Sequence, residues 1–321
     1  MRSFSKQDIE ALRPPVRRPT PGDRALAVVH EKEAYRDNFH QLSIAECLTI
    51  FLKGGECPLR CLMCDMWQHT HRAPTPTGNI PKQIEFELSR LQATRPKVLK
   101  LYNASNFFAP RNIPSSDLPV IADLIADWPR VVVENHPKFM SAAVLKFSSR
   151  LIGELEIAMG LETVHPQLLA WLNKDMSLDD FERACRLCRS ASIKLRCFLL
   201  LQLPGLTNSE NRRWVAKSVE IAVSCGVTHI CLIPLRSQSS ILAGLLEAGK
   251  LTLPTYAQLI QVLLSCKPWG THSVITADTW NWDLLGGMCA ACSPIKKQII
   301  ETFNLSQNFD LLDEYPDCEC A

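Results

Sequence analysis

Residues 47–64 read CLTIFLKGGECPLRCLMC: an apolar, β-branched run, a pair of glycines, and three cysteines spaced C-x3-C-x2-C at Cys57, Cys61 and Cys64. The run Leu48–Leu52 has the length and continuous apolar character of a strand buried on both faces of a parallel sheet. Gly54 and Gly55 let the chain turn sharply off the strand end. A cysteine-bearing loop in that place lies at the C-terminal face of a parallel α/β sheet, where such folds collect their chemistry.

The same rhythm of strand, loop and helix continues outward from this stretch. Apolar runs at Val98–Tyr102, Val131–Val133, Leu155–Met159, Leu195–Leu203 and His229–Leu235 read as further strands. Helical patterns lie between them at Pro81–Leu91, Asp117–Ala126 (with Ser115 and Ser116 as candidate caps), Met140–Phe147, Leu178–Ala191 and Ser209–Cys225, the last stopping at Gly226. Six strands, five of them followed by a helix, predict an α/β fold: an open, partial (βα)6 parallel barrel with right-handed crossovers. Residues 44–235 form this barrel.

Two extensions flank it. Residues 1–43 are rich in Pro and Arg, with Pro14, Pro15, Pro19 and Pro21 among Arg13, Arg17, Arg18 and Arg24. That composition predicts an extended, loosely held segment lying on the barrel, the alternative being a basic arm touching RNA phosphates. Residues 236–321 form a small cysteine-bearing C-terminal extension, with helices near Ile241–Ala248 and Tyr256–Leu264 and a strand-like His272–Ala277.

The 321 residues are 46% hydrophobic and 21% charged, with a net charge of +2. No global field advertises a nucleic-acid or membrane partner, and no apolar run approaches the roughly 18–20 residues of a membrane span. The polar N-terminal stretch lacks a secretory h-region, so a cytoplasmic, reducing setting is expected. There, fourteen cysteines read as metal ligands or small buried hydrophobes. Cys185 and Cys188 share a helix face with Phe181 and belong to the core.

Thiolates are the usual ligands of iron–sulfur clusters, and three of them on a four-iron cubane leave one iron open to a small molecule. A structural zinc site would take four protein donors, and no fourth lies near Cys57, Cys61 and Cys64. Two readings from other classes remain: an iron–sulfur electron-transfer protein, and a zinc-stabilised RNA-binding module. Neither a Gly-rich phosphate loop nor a His-Glu-x-x-His motif is present.

The C-x3-C-x2-C loop after the first strand resembles the radical S-adenosylmethionine (SAM) superfamily. The resemblance implies a 4Fe–4S cluster on Cys57, Cys61 and Cys64 whose open iron is chelated by SAM. It also implies cleavage of SAM to a 5′-deoxyadenosyl radical that abstracts hydrogen from a substrate, with an external electron donor such as flavodoxin or ferredoxin. Many members carry an aromatic residue before the third cysteine, against the adenine; Met63 stands there, and a thioether can pack on a purine face. Ser105 and Asn106, after the second strand, occupy the place where the superfamily grips the SAM amino group. Gly160 and Glu162, in Gly160-Leu161-Glu162-Thr163 after the fourth strand, are expected to admit and hydrogen-bond SAM. Arg196 and Gln202 share one face of the fifth strand; on the inward facing they reach the SAM carboxylate or ribose.

Cys61-Leu62-Met63-Cys64, Leu101-Tyr102-Asn103, Val133-Glu134 before Pro137 and Gly160-Leu161-Glu162-Thr163 together resemble a narrower group. This is the radical SAM subunit of archaeosine synthase and its bacterial relatives, akin to the Elongator-type and tRNA-modifying branches. It implies a modified nucleoside in tRNA as substrate; small-molecule or natural-product chemistry is the alternative. Cys289 and Cys292 (C-x2-C) with Cys318 and Cys320 (C-x-C) supply four thiolates for zinc or a second iron–sulfur cluster; the alternative is cysteines on a flexible tail. Trp280 and Trp282 fit packing better than stacking on a substrate base.

Overall fold

A computed structural model describes residues 3–37, 41–91 and 95–313. Eight strands form one sheet in sequence order: β1 (Ala27–Arg36), β2 (Leu42–Phe51), β3 (Val98–Tyr102), β4 (Arg130–Glu134), β5 (Glu154–Glu162), β6 (Lys194–Leu201), β7 (His229–Pro234) and β8 (Val274–Ala277). β1 runs antiparallel to β2, and every later pairing is parallel. The expected α/β partial barrel is present, and all six expected strands lie in it. Two more strands come from outside residues 44–235. β1 contributes from the Pro/Arg-rich segment, and the strand-like stretch near residue 274 becomes β8.

The sheet curls until β1 and β8 approach one another, and the helix Ser293–Ser306 packs across both. The free edge of β8 is closed by side chains. Asn304 pairs with the N–H and C=O of Ala277 at 2.9 and 2.8 Å, and Gln307 does the same for Ile275 at 2.7 and 2.9 Å. Two amides thus stand in for a ninth strand and satisfy an edge that would otherwise invite pairing.

Strand alternation separates two interiors. Leu48, Ile50, Leu99, Leu101, Val131, Val133, Ile157 and Met159 face the helices and form the main core with them. Small residues, Ala45, Cys47, Val98, Val132 and Ala158, face the lumen. Cys185 and Cys188 are buried beside Phe181, as expected. The crossover helices start at capping boxes, Ser177–Asp180 before Leu178–Ser190 and Thr207–Glu210 before Asn208–Ser224. Among the described residues no helix is long and apolar enough to cross a membrane.

The lumen floor is charged. β1 inserts Glu31 and Glu33, which meet Lys100 from β3 and Arg196 from β6. Arg196 spans Glu33, at 2.5 and 2.7 Å, and Glu156 of β5, at 2.7 Å. Burial alone would raise the Glu33 carboxyl; Arg196 and Lys100 win and hold it well below the usual carboxylate range. Burial pushes His229, beside this network, down to about 3, so it is a neutral neighbour that donates or accepts with Thr276 at 3.1 Å.

The segment before β1 is not loosely held. A short helix, Lys6–Ala11, starts at a Ser5 capping box. Arg13 and Arg18 then clamp the buried Glu56 at 2.5 and 2.6 Å, and both guanidinium groups lie 4.7 Å from the centre of the Trp67 ring. A buried carboxylate needs countercharge, and these arginines supply it.

Candidate active site

The cysteine loop leaves β2 at Phe51 and is fastened from two sides. A Cβ on Gly55 would lie 2.7 Å from the Arg111 carbonyl and 2.8 Å from that of Ala73, so the backbone passes where only glycine fits. Asn112 donates its amide to the carbonyls of Gly55 and Glu56 at 2.7 and 2.9 Å, and the Glu56 N–H donates to His71 at 2.9 Å. On the other side the Leu62 N–H donates to Leu172, and Asn173 donates to the Arg60 carbonyl at 2.8 Å. The loop is therefore a rigid shelf over the strand ends.

The three thiols sit on that shelf in mutual electrostatic contact. Burial pushes Cys61 up to about 11 and raises Cys57 and Cys64 as well; at Cys64 the two neighbouring sulfurs add to the rise. Three half-buried thiols that resist ionising together are a donor set suited to a cationic centre, which would draw off their protons. Cys57 already receives hydrogen bonds at sulfur, from Asn106 at 3.1 Å and from the Leu59 N–H at 3.4 Å. The Ser105 hydroxyl faces the same sulfur.

Glu162 comes to Cys61 by a different route. The β5–β6 register shifts between Gly160 and Glu162, and Glu162 takes φ +66°. This re-aims the carboxylate, which pairs with Lys174 at 2.5 Å, both side chains being buried. A Cβ on Gly160 would fall 2.2 Å from that carboxylate and 2.6 Å from the Lys174 ammonium, so glycine leaves room for the pair. Lys174 lies close enough to Cys61 to favour its thiolate. Sequence reasoning missed Lys174, which sits in a short irregular segment after the Pro166–Trp171 helix and has no pattern of its own.

Above the lumen floor, residues on the strands' C-terminal halves are partly exposed, whereas their neighbours facing the helices are buried. Phe51, Tyr102, Glu134, Gly160, Phe198 and Cys231 are the partly exposed set, so the lumen opens at this end. Phe51 meets Tyr102 and Trp280 edge-on at 6.1 and 5.6 Å. Asn103 is wholly buried with neither amide atom partnered among the described residues. An orphaned buried amide at the end of β3 is a group that a polar ligand would satisfy.

Glu134 was also missed as a site residue. Its carboxyl has no ion-pair partner among the described residues, and burial pushes it up to about 7. A carboxyl raised by folding stabilises fully below its unfolded value, and that contribution is lost as pH climbs through about 7. Glu134→Gln removes the titration. The expected result is a melting temperature above wild type at pH 8, with a smaller difference at pH 5; equal differences at both pH values would contradict the assignment.

Of the residues singled out from sequence, Cys57, Cys61, Cys64, Ser105, Asn106, Gly160 and Glu162 come together. Met63 is half-buried and packs against the apolar cluster that includes Leu62 and Leu172. Arg196 does not join them. It lies near the start of β6, at the opposite end of the strand from the mouth, because Glu33 and Glu156 hold it in the lumen floor. Gln202 takes φ +69° and bonds Asn211 and Thr252, also away from the thiols. Cys289 and Cys292 are elsewhere, ahead of the Ser293–Ser306 helix, and the Cys292 N–H donates to the Cys289 sulfur at 3.4 Å. Cys318 and Cys320 lie outside the described residues. Trp282 is buried and donates to the Ser293 carbonyl at 3.1 Å, whereas Trp280 is 57% exposed at the lumen mouth.

No family model matches the chain. It is similar to the uncharacterized protein MJ0550 of Methanocaldococcus jannaschii, 21% identical over 93% of this chain and 85% of that one. Among solved structures it resembles methylornithine synthase (PylB), with a TM-score of 0.52 at 13% identity, over 77% of this chain and 68% of that one. It also resembles Elp3 of the archaeon Methanocaldococcus infernus, with a TM-score of 0.50 at 12% identity, over 70% of this chain but only 59% of that one. At these identities the likeness is one of fold: a partial parallel α/β barrel.

Proposed function

We propose that this chain is a radical SAM enzyme, with a 4Fe–4S cluster on Cys57, Cys61 and Cys64 and SAM bound at the open mouth of the barrel. The observation that carries the reading is the shelf itself: three half-buried thiols in C-x3-C-x2-C spacing, held over the C-terminal end of the first parallel strand. When bound, the pair of cofactors supplies a 5′-deoxyadenosyl radical that abstracts hydrogen from the substrate. The chain's own residues hold and shield it. Asn106 donates to the Cys57 sulfur, which lowers electron density on that ligand. The Lys174–Glu162 pair places a positive charge beside Cys61 and a carboxylate within reach of a polar ligand. Gly160 leaves room for that pair, and the Met63 thioether is the candidate for the adenine face.

The test is anaerobic reconstitution with iron and sulfide, reduction with dithionite, and chromatography for 5′-deoxyadenosine. Its formation supports the enzyme. A cluster that forms without SAM cleavage would favour an electron-transfer protein, and zinc without any cluster would favour an RNA-binding module.

The substrate reading that the site supports is a modified nucleoside in tRNA, in a cytoplasmic setting. Of the four stretches that resemble the archaeosine-synthase group, one carries Cys61 and Cys64, and the others contribute Tyr102, Glu134 and Gly160 to the partly exposed set at the mouth. A changed nucleoside in lysine-bearing tRNA after incubation supports this. The modest net charge of +2 favours a small-molecule substrate instead, and an unchanged tRNA would leave that reading standing.

Cys289 and Cys292, with Cys318 and Cys320, are proposed as a zinc or second iron–sulfur site. An N–H donated to the first sulfur of a C-x2-C turn suits a thiolate ligand. Replacing Cys289 and Cys292 by Ser is expected to lower total metal by the content of one site while the SAM-dependent cluster remains; unchanged zinc and iron would refute it.

A further inference from the structure

The N-terminal clamp builds a cleft of about 490 Å³ against the cysteine loop. Five arginines line it, Arg13, Arg18, Arg60, Arg72 and Arg111, against two glutamates, Glu10 and Glu56. That is three positive charges in excess in one cleft, when the whole chain carries only +2. Arg13, Arg18 and Arg60 are spent on Glu56 and are 10–17% exposed. Arg72 and Arg111 stand exposed at the rim, without an acidic partner among the described residues. None of the lumen-mouth residues lines the cleft. Arg13 and Trp67 line both this cleft and a small neighbouring pocket that Cys64 also lines.

We infer that this arginine cleft is the docking surface for an acidic one-electron carrier protein that reduces the cluster. The inference rests on the cluster reading above and adds where the electron enters. One electron leaves the carrier, which is oxidised, and enters the cluster, which is reduced by one; no bond to the chain forms or breaks. Charge complementarity steers such encounters and speeds association, and the cleft brings the carrier against the loop that holds all three thiols. RNA is the less fitting occupant. A duplex or strand needs a row of cations tracking its phosphates, whereas three of these five arginines are tied to one glutamate.

The experiment uses the full chain with Arg72→Glu and Arg111→Glu, singly and together, and Arg72→Ala as a milder variant. An acidic flavodoxin kept reduced by its reductase is the carrier. Two quantities are read: carrier binding to the cluster-free protein by titration calorimetry, and the rate of cluster bleaching after mixing. For the double variant the expected result is at least a tenfold loss in both at low salt, with dithionite reduction unchanged. Wild type should show a steep fall in the carrier-driven rate with added salt. Unaltered carrier binding and rate in every variant would overturn the proposal, as would loss of tRNA binding with carrier reduction intact. If dithionite produces no 5′-deoxyadenosine in wild type, the enzyme reading fails by itself, while the calorimetry still decides the docking surface.

Discussion

Replacing Cys57, Cys61 and Cys64 together by Ala is expected to leave a folded protein that binds no SAM-dependent cluster and makes no 5′-deoxyadenosine. Folding should survive because the loop is held by backbone contacts that do not involve the thiols. Asn112, His71, Leu172 and Asn173 bind it through carbonyls and N–H groups. Deleting three half-buried sulfurs costs packing, but it also removes three groups whose ionisation desolvation opposes. Iron analysis and visible absorption after anaerobic reconstitution check the first part, and chromatography the second. Iron retained at the wild-type level, with Cys289 and Cys292 also replaced, would contradict it.

The second large effect is expected at the other end of the barrel. Arg196→Met leaves the Glu33 and Glu156 carboxylates in the lumen floor without their shared partner. Removing one member of a buried ion network costs about 3–5 kcal/mol; Lys100 still reaches Glu33, so the lower end of that range is expected. Urea unfolding at pH 7.5 measures it. Arg196 holds both carboxyls low against the opposing effect of burial, and groups so depressed stabilise above their unfolded values and lose that contribution as pH falls. The deficit of Arg196→Met should therefore shrink toward pH 4. Adding Glu33→Gln should recover part of the loss at pH 7.5, because one stranded charge is gone. SAM affinity should be unchanged in every case. A protein of normal stability with weakened SAM binding would return Arg196 to the cofactor site.

Arg196 also shows where reading a sequence stops. Alternation along the fifth apolar run puts Arg196 and Gln202 on one face without saying whether that face is the lumen, and facing alone does not say which end of the barrel a residue serves. The Arg196 partner Glu33 lies 163 residues away, in a stretch whose alternating charges, His30-Glu31-Lys32-Glu33, look like a solvated segment. Only once β1 pairs with β2 do Glu31 and Glu33 enter the lumen. Lys174 was hidden for a similar reason: its site depends on the bulge that turns Glu162, and a register shift leaves no periodic signal. The runs at Leu48–Leu52, Val98–Tyr102 and Leu155–Met159 were legible because both faces of those strands are buried, which writes hydrophobicity at every position. The thiol triad was legible because its chemistry demands a fixed spacing within one loop. The arginines before β1 were misread because composition counts charges without showing that Glu56 consumes them.

Electron paramagnetic resonance of the reduced, reconstituted protein, recorded with and without SAM, tests the central claim most directly. A cubane with one iron free of protein ligands should change its g values when SAM is added, because the amino acid end of SAM then binds that iron. A spectrum from a reduced 4Fe–4S cluster that is identical in both samples would mean that the fourth corner is closed, and the proposed chemistry could not occur there.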